Sequence, residues 1–478
     1  MDSHKRHLTR GFNWLGGATI VAKAVDFSTI LVVLLFLTKE QVGIGSLVVS
    51  FAMIVEAFDG LGTGDALVQA VSVSRLQLDT LFWFILGFGV LVAGLTLLAA
   101  PLIAALYGHA AIVAYLGVVA LKQPLVAMAV IPLALLNRGL HYNRIAFVNV
   151  GATLAGALTR LALAFGGAGA WVLVAGYTAS GLYLLLGALI AQPFVPGFRY
   201  QFAAIRPLLR FGLRAASSNL SEQVFKNVDY LLVGWFYGAA PLATYRVAFD
   251  TAMEPATAIS TVIRRTALPV FARSAAVPGE FSAALVWALQ RLLRLAAPLM
   301  LVLLLIAPPL TGLIHDPHGR SYASAALPMQ LLAVAALLRV TGELLFPVLL
   351  AAGRPGAAAR LSGGILMVLT VAIAAVGYGL PERVGIVAVA GCWLGIYPFV
   401  LVWGATMLRR EWGVPLGELA QVLVETAVSL AATAGLVALA DALAGKPGSW
   451  LRIVIVLLAT ALVQSGLYLR GRRRLSPA

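Results

Sequence analysis

Long uninterrupted apolar runs constrain this chain more than any other feature, because each is long enough to cross a membrane. A bilayer core requires about 20 apolar residues per helix. Polar and turn residues divide the sequence into fourteen such runs, with approximate bounds 11–37, 41–65, 78–106, 110–136, 146–165, 169–191, 208–237, 241–268, 282–311, 325–351, 357–378, 384–407, 418–443 and 450–469. The chain is 61% apolar and only 11% charged, far from the balance of a soluble domain. The sequence therefore predicts an all-α polytopic membrane protein with fourteen transmembrane helices.

The distribution of lysine and arginine predicts how these helices are oriented. The first run is longer than a signal-peptide core and lacks a following cleavage site, so we interpret it as a spanning helix. With both termini in the cytoplasm, 21 basic residues lie in cytoplasmic segments and 5 on the opposite side. This asymmetry is typical of multi-pass proteins. It accounts for much of the net charge of +15, so no nucleic-acid partner is expected.

Several classes of chemistry find no support in the sequence. The single Cys392 excludes an internal disulfide, and no Cys/His cluster indicates a metal site. The glycine-rich run at 60–64 has neither a preceding strand nor a following Lys-Ser/Thr, so it is not a nucleotide loop. The predicted loops are too short to fold alone, which argues against a membrane-embedded glycosyltransferase. No cofactor is expected, and no enzymatic activity is predicted.

An internal repeat divides the chain. The segments KAVDF, residues 23–27, and KNVDY, residues 226–230, align at an offset of 203. Acidic residues of the second predicted helix align less closely with acidic residues of the eighth. The seventh and eighth predicted helices carry many polar groups. We predict an N-terminal lobe at 1–200, a C-terminal lobe at 201–411 and a terminal helix pair at 412–478. Six helices per lobe give both lobes the same orientation, and substrate sites in such transporters lie between the lobes.

Two stretches resemble a known family. FDGLGTGDALVQA, residues 58–70, with the following apolar run at 78–108, is similar to the second-to-third-helix region of bacterial polysaccharide exporters of the Wzx type. Residues 208–250 resemble the start of that family's second lobe, in which an Asn-x-Asp precedes an aliphatic run, a glycine and a tyrosine. Here these are Asn227, Asp229, Gly234 and Tyr245. These exporters belong to the multidrug/oligosaccharidyl-lipid/polysaccharide (MOP) flippase superfamily.

The resemblance implies a fold and an activity. The family fold is two six-helix bundles in a V around a central cavity, often with two further helices. The implied activity is transfer of undecaprenyl-diphosphate-linked oligosaccharide from the cytoplasmic to the periplasmic leaflet of the bacterial inner membrane by alternating access. The polysaccharide polymerase and export machinery become candidate partners. Arg246 departs from the family pattern, where a small or polar residue is expected, and either an acidic substrate or a private ion pair with Asp250 would explain it.

Basic residues inside predicted spans are the candidates for substrate binding. Charges at mid-membrane normally face a wet cavity or a partner, and a lysine ammonium suits phosphate capture and release. The candidates are Lys23, Lys226, Arg339, Lys122, Arg246 and Arg291. The structural alternative is that each lysine of the repeat neutralises the aspartate three residues later, which shares its helix face. For Arg291, snorkelling to the interface is an equal alternative.

Acidic residues inside the spans are the candidates for ion coupling or gating. Carboxylates three or four residues apart can share a proton or bind Na⁺. The candidates are Asp26, Glu56, Asp59, Asp229, Asp250, Glu254 and Glu343. A structural network near a helix end is the alternative, and it is favoured for Asp250. H⁺ coupling, Na⁺ coupling and passive flipping all remain open.

Two rival functions share the predicted architecture. A multidrug exporter of the same superfamily would be expected to have an acid-lined cavity, against which the eight basic residues within spans argue. A lipid II flippase would also have a cationic cavity. The sequence therefore favours a lipid-linked oligosaccharide flippase for exopolysaccharide, capsule or O-antigen synthesis.

Overall fold

The computed structural model describes residues 22, 24–274, 278–444 and 448–475. In those ranges the chain is helical apart from turns and an isolated bridge between His315 and Ser321, so the predicted all-α class is confirmed. The helices are α1 Ala24–Val33, α2 Lys39–Glu56, α3 Thr63–Gln69, α4 Arg75–Tyr107, α5 Ala111–Ala127, α6 Val130–Arg138, α7 Tyr142–Phe165, α8 Trp171–Ala191, α9 Phe202–Tyr237, α10 Ala239–Ser274, α11 Pro278–Leu313, α12 Ala326–Gly342, α13 Leu345–Ala351, α14 Pro355–Gly379, α15 Glu382–Trp412, α16 Leu416–Ala444 and α17 Ser449–Leu475.

Nine helical segments in the described ranges are long and apolar enough to cross a membrane, and the pair α5 and α6, bent by 43°, would make a tenth. Helices α9 and α10 each contain 36 residues, about 54 Å at 1.5 Å per residue. They have the length of a span, but their composition is more polar than that of the nine segments. The multi-pass character is therefore confirmed, and the count of fourteen stays a prediction.

The described residues form two compact units. Unit 1 contains those up to Ala243 together with Asp316–His318, and unit 2 contains the remainder from Thr244 onward. Helix α9, the predicted first helix of the second lobe, packs on α2, α3 and α4 of unit 1. Compactness and sequence repetition are separate properties, so the predicted boundaries near residues 200 and 411 stay predictions.

The core of unit 1 joins the short helices to the long ones. In this unit α7 packs on α8, α4 packs on α5, and α3 packs on α6 and α9. One buried apolar cluster ties α3, α4 and α6 to the first turns of α9, through Leu67, Leu81, Ile131, Ile205 and Leu208. Each of these side chains is at most 8% exposed. The N-terminal half of α9 is therefore held by the cytoplasmic ends of its neighbours, as the predicted orientation assigns them.

A turn with left-handed backbone conformation separates α2 from α3. Gly60, Leu61 and Gly62 have φ values of 62°, 47° and 65° in succession. Leu61 is disfavoured in this region by about 1–2 kcal/mol, so surrounding contacts must maintain the turn. One such contact is with α9, since a Cβ on Gly62 would lie 2.3 Å from the carbonyl oxygen of Gly212. We call the contact of residues 61–62 with Gly212 the glycine seam.

Unit 2 is organised around α11 and α12. Helix α12 packs on α11 and α15, while α16 and α17 pack on α11 and on each other. The largest fully buried side chain is Trp393 of α15, which lies in an aromatic group with Phe249 and Tyr397. Helix α16 buries few side chains, with Val422, Thr433 and Val437 along one face, which leaves most of its apolar surface for lipid.

The glycine seam makes a prediction about stability. In Gly212→Ala, the new Cβ would lie 2.5 Å from the carbonyl oxygen of Leu61. Since backbone cannot yield cheaply, we expect a loss of about 1–3 kcal/mol, seen as a lower unfolding temperature in detergent. The matched control is Gly87→Ala in α4, where nothing lies within 4 Å and helix propensity predicts a gain of up to about 1 kcal/mol. Equal unfolding temperatures for the two variants would show that the seam is not tight.

Candidate functional site

A buried cation links three helices of unit 1. Lys122 of α5 is 3% exposed, and its ammonium donates to the carboxylate of Glu56 on α2. The ring of Tyr177 on α8 lies against the same ammonium, with its centroid 3.6 Å from Nζ. Gly181 of α8 makes room, because a Cβ there would lie 2.3 Å from the lysine Cε. The ammonium is thus held by one carboxylate and one aromatic face.

A second carboxylate joins this group from the left-handed turn. Asp59 begins the 3₁₀ turn that follows α2 and interacts electrostatically with both Glu56 and Lys122. Two carboxylates beside one ammonium leave a formal excess of negative charge when all three groups are ionised. Inside a membrane such an excess is costly, and a bound proton or monovalent cation would remove it.

Unit 2 contains a comparable arrangement. Arg339 of α12 is 8% exposed, and its Nε donates to Glu343 Oε1 at 3.1 Å. Glu343 also accepts a hydrogen bond from Ser260 of α10. The Arg339 guanidinium lies 5.4 Å from the ring centroid of Trp393 on α15, whose Nε1 donates to Tyr245 Oη at 3.0 Å. This cation also meets a carboxylate and an aromatic face.

The two arrangements occupy equivalent places in the predicted repeat. Both cations precede a break in a helix, between α5 and α6 and between α12 and α13. Their aromatic neighbours lie on the last predicted helix of each six. The offset is 217 between Lys122 and Arg339 and 216 between Tyr177 and Trp393. The lysines of the first helices align at an offset of 203. The offset is larger for the later pairs, which indicates an insertion in the second copy, so a fixed offset of 203 does not reveal this correspondence.

The first-helix motif has different partners from those that its spacing suggests. Lys226 donates to Glu222 at 2.6 Å, while Asp229 is fully buried and accepts from the backbone of Tyr230. Neutralisation of Asp229 by Lys226, the structural alternative, is therefore wrong for this copy. The reason is that a helical side chain leans toward the N-terminus, which directs the lysine to the residue four positions earlier.

The corresponding aspartate of the first copy is paired across unit 1. Asp26 accepts from the guanidinium of Arg160 on α7, and Arg160 packs against Gly176 of α8. Lys23 lies outside the described residues.

The remaining candidates are more accessible. Arg246 and Asp250 form an ion pair of 3.1 Å along α10, and their side chains are 22% and 21% exposed. This contact agrees with the explanation that Arg246 departs from the family pattern because it forms an ion pair with Asp250. Arg291 is exposed on α11 with its guanidinium 5.6 Å from the Trp287 ring centroid, and Glu254 is exposed on α10. The roles assigned to these residues stay predictions.

Comparison with known proteins adds a family and a fold. A family model described as "Polysaccharide biosynthesis protein" matches residues 32–324. The Teichuronic acid biosynthesis protein TuaB of Bacillus subtilis is 25% identical over 309 residues, covering 64% of this chain and 63% of the relative. The Lipopolysaccharide biosynthesis protein WzxC of Escherichia coli is 23% identical over 351 residues, covering 72% and 70%. The chain thus spans less than two thirds of the first relative's length.

A solved structure shares the fold over nearly the whole chain. The lipid II flippase MurJ in an inward closed conformation superposes with a TM-score of 0.75 and 12% identity, covering 96% of this chain and 99% of that one. At this level of identity the likeness shows the fold alone.

The buried pair of unit 1 predicts a large energetic effect. Removing the ammonium in Lys122→Met leaves the partly buried carboxylate of Glu56, 28% exposed, without its ion-pair partner, so we expect a loss of about 1–3 kcal/mol in unfolding free energy. Adding Glu56→Gln should recover part of this loss, because it removes the unpaired charge. The measurement is thermal unfolding in detergent.

The control for this pair is Lys226→Met. Its ion pair with Glu222 is 47% and 60% exposed, so a change within about 1 kcal/mol is expected. Additive effects in the Lys122/Glu56 cycle would contradict a direct interaction.

Proposed function

The chain belongs to the polysaccharide biosynthesis protein family, and from this premise we propose that it flips undecaprenyl-diphosphate-linked oligosaccharide from the cytoplasmic to the periplasmic leaflet. It has the fold of a MOP superfamily transporter and is a transporter, not an enzyme. The family match carries the proposal, and basic side chains on membrane-length helices support it. Lys226 and Arg291 are exposed there, where an anionic head group needs compensation.

Such a flippase has to shield the polar head group of its lipid-linked substrate from the hydrocarbon core, whereas the isoprenoid tail needs no shielding. The isoprenoid stays in the hydrocarbon, while the diphosphate and sugars cross along polar surface. Alternating access delivers the head group to the opposite leaflet without a continuous water channel. The proposed location is the bacterial inner membrane with both termini cytoplasmic, and the product is handed to the polysaccharide polymerase and export machinery.

Unit 1 offers a means of coupling. The group formed by Glu56, Asp59 and Lys122 carries excess negative charge unless a proton or Na⁺ binds. We assign ion coupling to this group, because it lies at a helix break, where helix geometry can change more readily than in a continuous helix. Ion binding then favours one conformation of α2 and α3 over another, and the ion gradient supplies direction to flipping.

Depletion of the protein tests the substrate assignment. We expect undecaprenyl-diphosphate-linked repeat units to accumulate on the cytoplasmic side of the inner membrane, as measured by their access to a membrane-impermeant sugar-modifying reagent in spheroplasts and inverted vesicles. Unchanged lipid-linked intermediates together with new drug sensitivity would instead identify a multidrug exporter. Accumulation of lipid II in place of repeat units would identify a lipid II flippase.

Coupling is tested by neutral variants of the two acids. In proteoliposomes, Glu56→Gln and Asp59→Asn should flip substrate at rates that no longer respond to an imposed H⁺ or Na⁺ gradient. The matched control is Glu425→Gln, which alters an exposed acid of α16 that accepts a hydrogen bond from Gln421. The control should keep the gradient response of the unmodified protein. An unaltered gradient response in both acid variants would rule out this group as the coupling site.

A further inference from the structure

The middle of α9 is polar in a way that its packing does not explain. Residues 217–226 read SSNLSEQVFK, with seven polar residues in ten. Six of them are exposed: Ser217, Ser218, Asn219, Ser221, Glu222 and Lys226. We call residues 217–226 the polar segment.

Its position along the helix places it within the membrane. Tyr237 ends α9, so Lys226 lies eleven residues, about 16 Å, from that end, and Ser217 lies twenty residues, about 30 Å, from it. A bilayer core is about 30 Å thick. The polar segment therefore extends from the middle of the core to its cytoplasmic boundary, in the orientation predicted from the basic residues. Exposed polar groups at that depth need a hydrated path or a polar ligand.

The opposite face of α9 accounts for its orientation. Gly212 and Ala216 are buried and form part of the contact with the left-handed turn. This contact fixes the helix in unit 1 and turns the preceding exposed cations, Arg210 and Arg214, away from it. The polar segment thus continues an exposed basic surface from the cytoplasmic end of the helix.

The side chains of the polar segment have unused hydrogen-bonding capacity. Ser217 and Ser221 donate to the carbonyl oxygens of Arg214 and Ser217, at 2.8 and 2.9 Å, which leaves their oxygens free to accept. Among the described residues, Ser218 and Asn219 have no side-chain partner. The Oε1 atom of Gln223 is buried and accepts no hydrogen bond. Hydroxyl and amide groups of this kind match the donors and acceptors of a sugar.

The charges around the polar segment favour an anionic ligand. Lys226 lies at its inner end, and Arg210 and Arg214 lie one to two turns before its start. Glu222, the acid within it, is already paired with Lys226 at 2.6 Å. Arg210 and Arg214 supply positive charge at the cytoplasmic end. Lys226, whose exposed pair with Glu222 contributes little stability, can exchange that carboxylate for a phosphate.

From these observations we propose that residues 217–226 of α9 bind the saccharide–diphosphate head of the lipid-linked substrate, with the serine hydroxyls and Asn219 on the sugar and Lys226 on the diphosphate. This proposal rests on the function proposed above and adds the residues that recognise the sugar. It separates sugar recognition from phosphate capture, so the two can be removed independently.

The test uses purified full-length protein in proteoliposomes with two probes. One is the lipid-linked repeat unit extracted from depleted cells, and the other is undecaprenyl diphosphate without sugar. For Ser217→Ala/Ser221→Ala, we expect about tenfold weaker apparent affinity for the sugar-bearing probe, corresponding to two lost hydrogen bonds, and unchanged affinity for the sugar-free probe. Lys226→Gln should weaken both by a similar factor.

The matched control is Thr406→Ala/Ser465→Ala. Both hydroxyls are exposed on long helices, and both donate to a carbonyl oxygen of their own helix at 2.7 Å. This double variant should bind both probes as the unmodified protein does. Alanine favours helix more than serine does, so the α9 variants should fold, and their unfolding temperatures check this.

The outcomes separate the two proposals. If the unmodified protein neither binds nor flips the repeat unit, the proposed function fails and the sugar site fails with it. If the unmodified protein flips the repeat unit and Ser217→Ala/Ser221→Ala binds it equally well, only the sugar site is overturned. A change in the number of chains per complex, with substrate affinity unaltered, would identify the polar segment as a protein interface and also overturn the proposal.

Discussion

A charge inside a membrane-length helix must be neutralised where it lies, and this requirement organises both units. Lys122 and Arg339 each meet a carboxylate and an aromatic face, and each arrangement connects three helices. The aromatic ring contributes attraction for the cation without adding a second formal charge. Removing one partner of such a pair would leave an uncompensated charge, at a cost of about 3–5 kcal/mol for a fully buried pair. Compared with apolar residues of the same volume, the intact pair adds little net stability.

This use of the buried cations changes which basic residues remain for a substrate. A cation enclosed by its own carboxylate and aromatic ring can meet a phosphate only if the helices separate. Exposed groups such as Lys226 and Arg291 can do so in the conformation described. In this conformation the enclosed bases hold helices together and the exposed ones are accessible to a ligand, while the substrate-binding role of each stays a prediction.

The sequence alone predicted the class of fold and the kind of residue at the candidate sites, because the cost of polar groups in lipid acts on composition directly. Partner choice was harder, since it depends on side-chain direction and on neighbouring helices. The spacing of Lys226 and Asp229 suggested a pair, yet the lysine turns to Glu222. Asp26 meets Arg160, more than 130 residues away, and no local pattern encodes such a contact. The composition of residues 217–226 shows that the polar segment is polar. It does not show that the side chains of this segment are exposed, which the structure adds.

The glycine seam also limits how α9 can move. Helix α9 begins the second copy of the predicted repeat, yet it packs on helices that precede it in the chain. At Gly62 and Gly212 backbone meets backbone, since a Cβ at either position would lie 2.5 Å or less from a carbonyl oxygen of the other segment. Neither segment can slide or rotate past the other without a steric clash, so α9 and the left-handed turn have to move as one body.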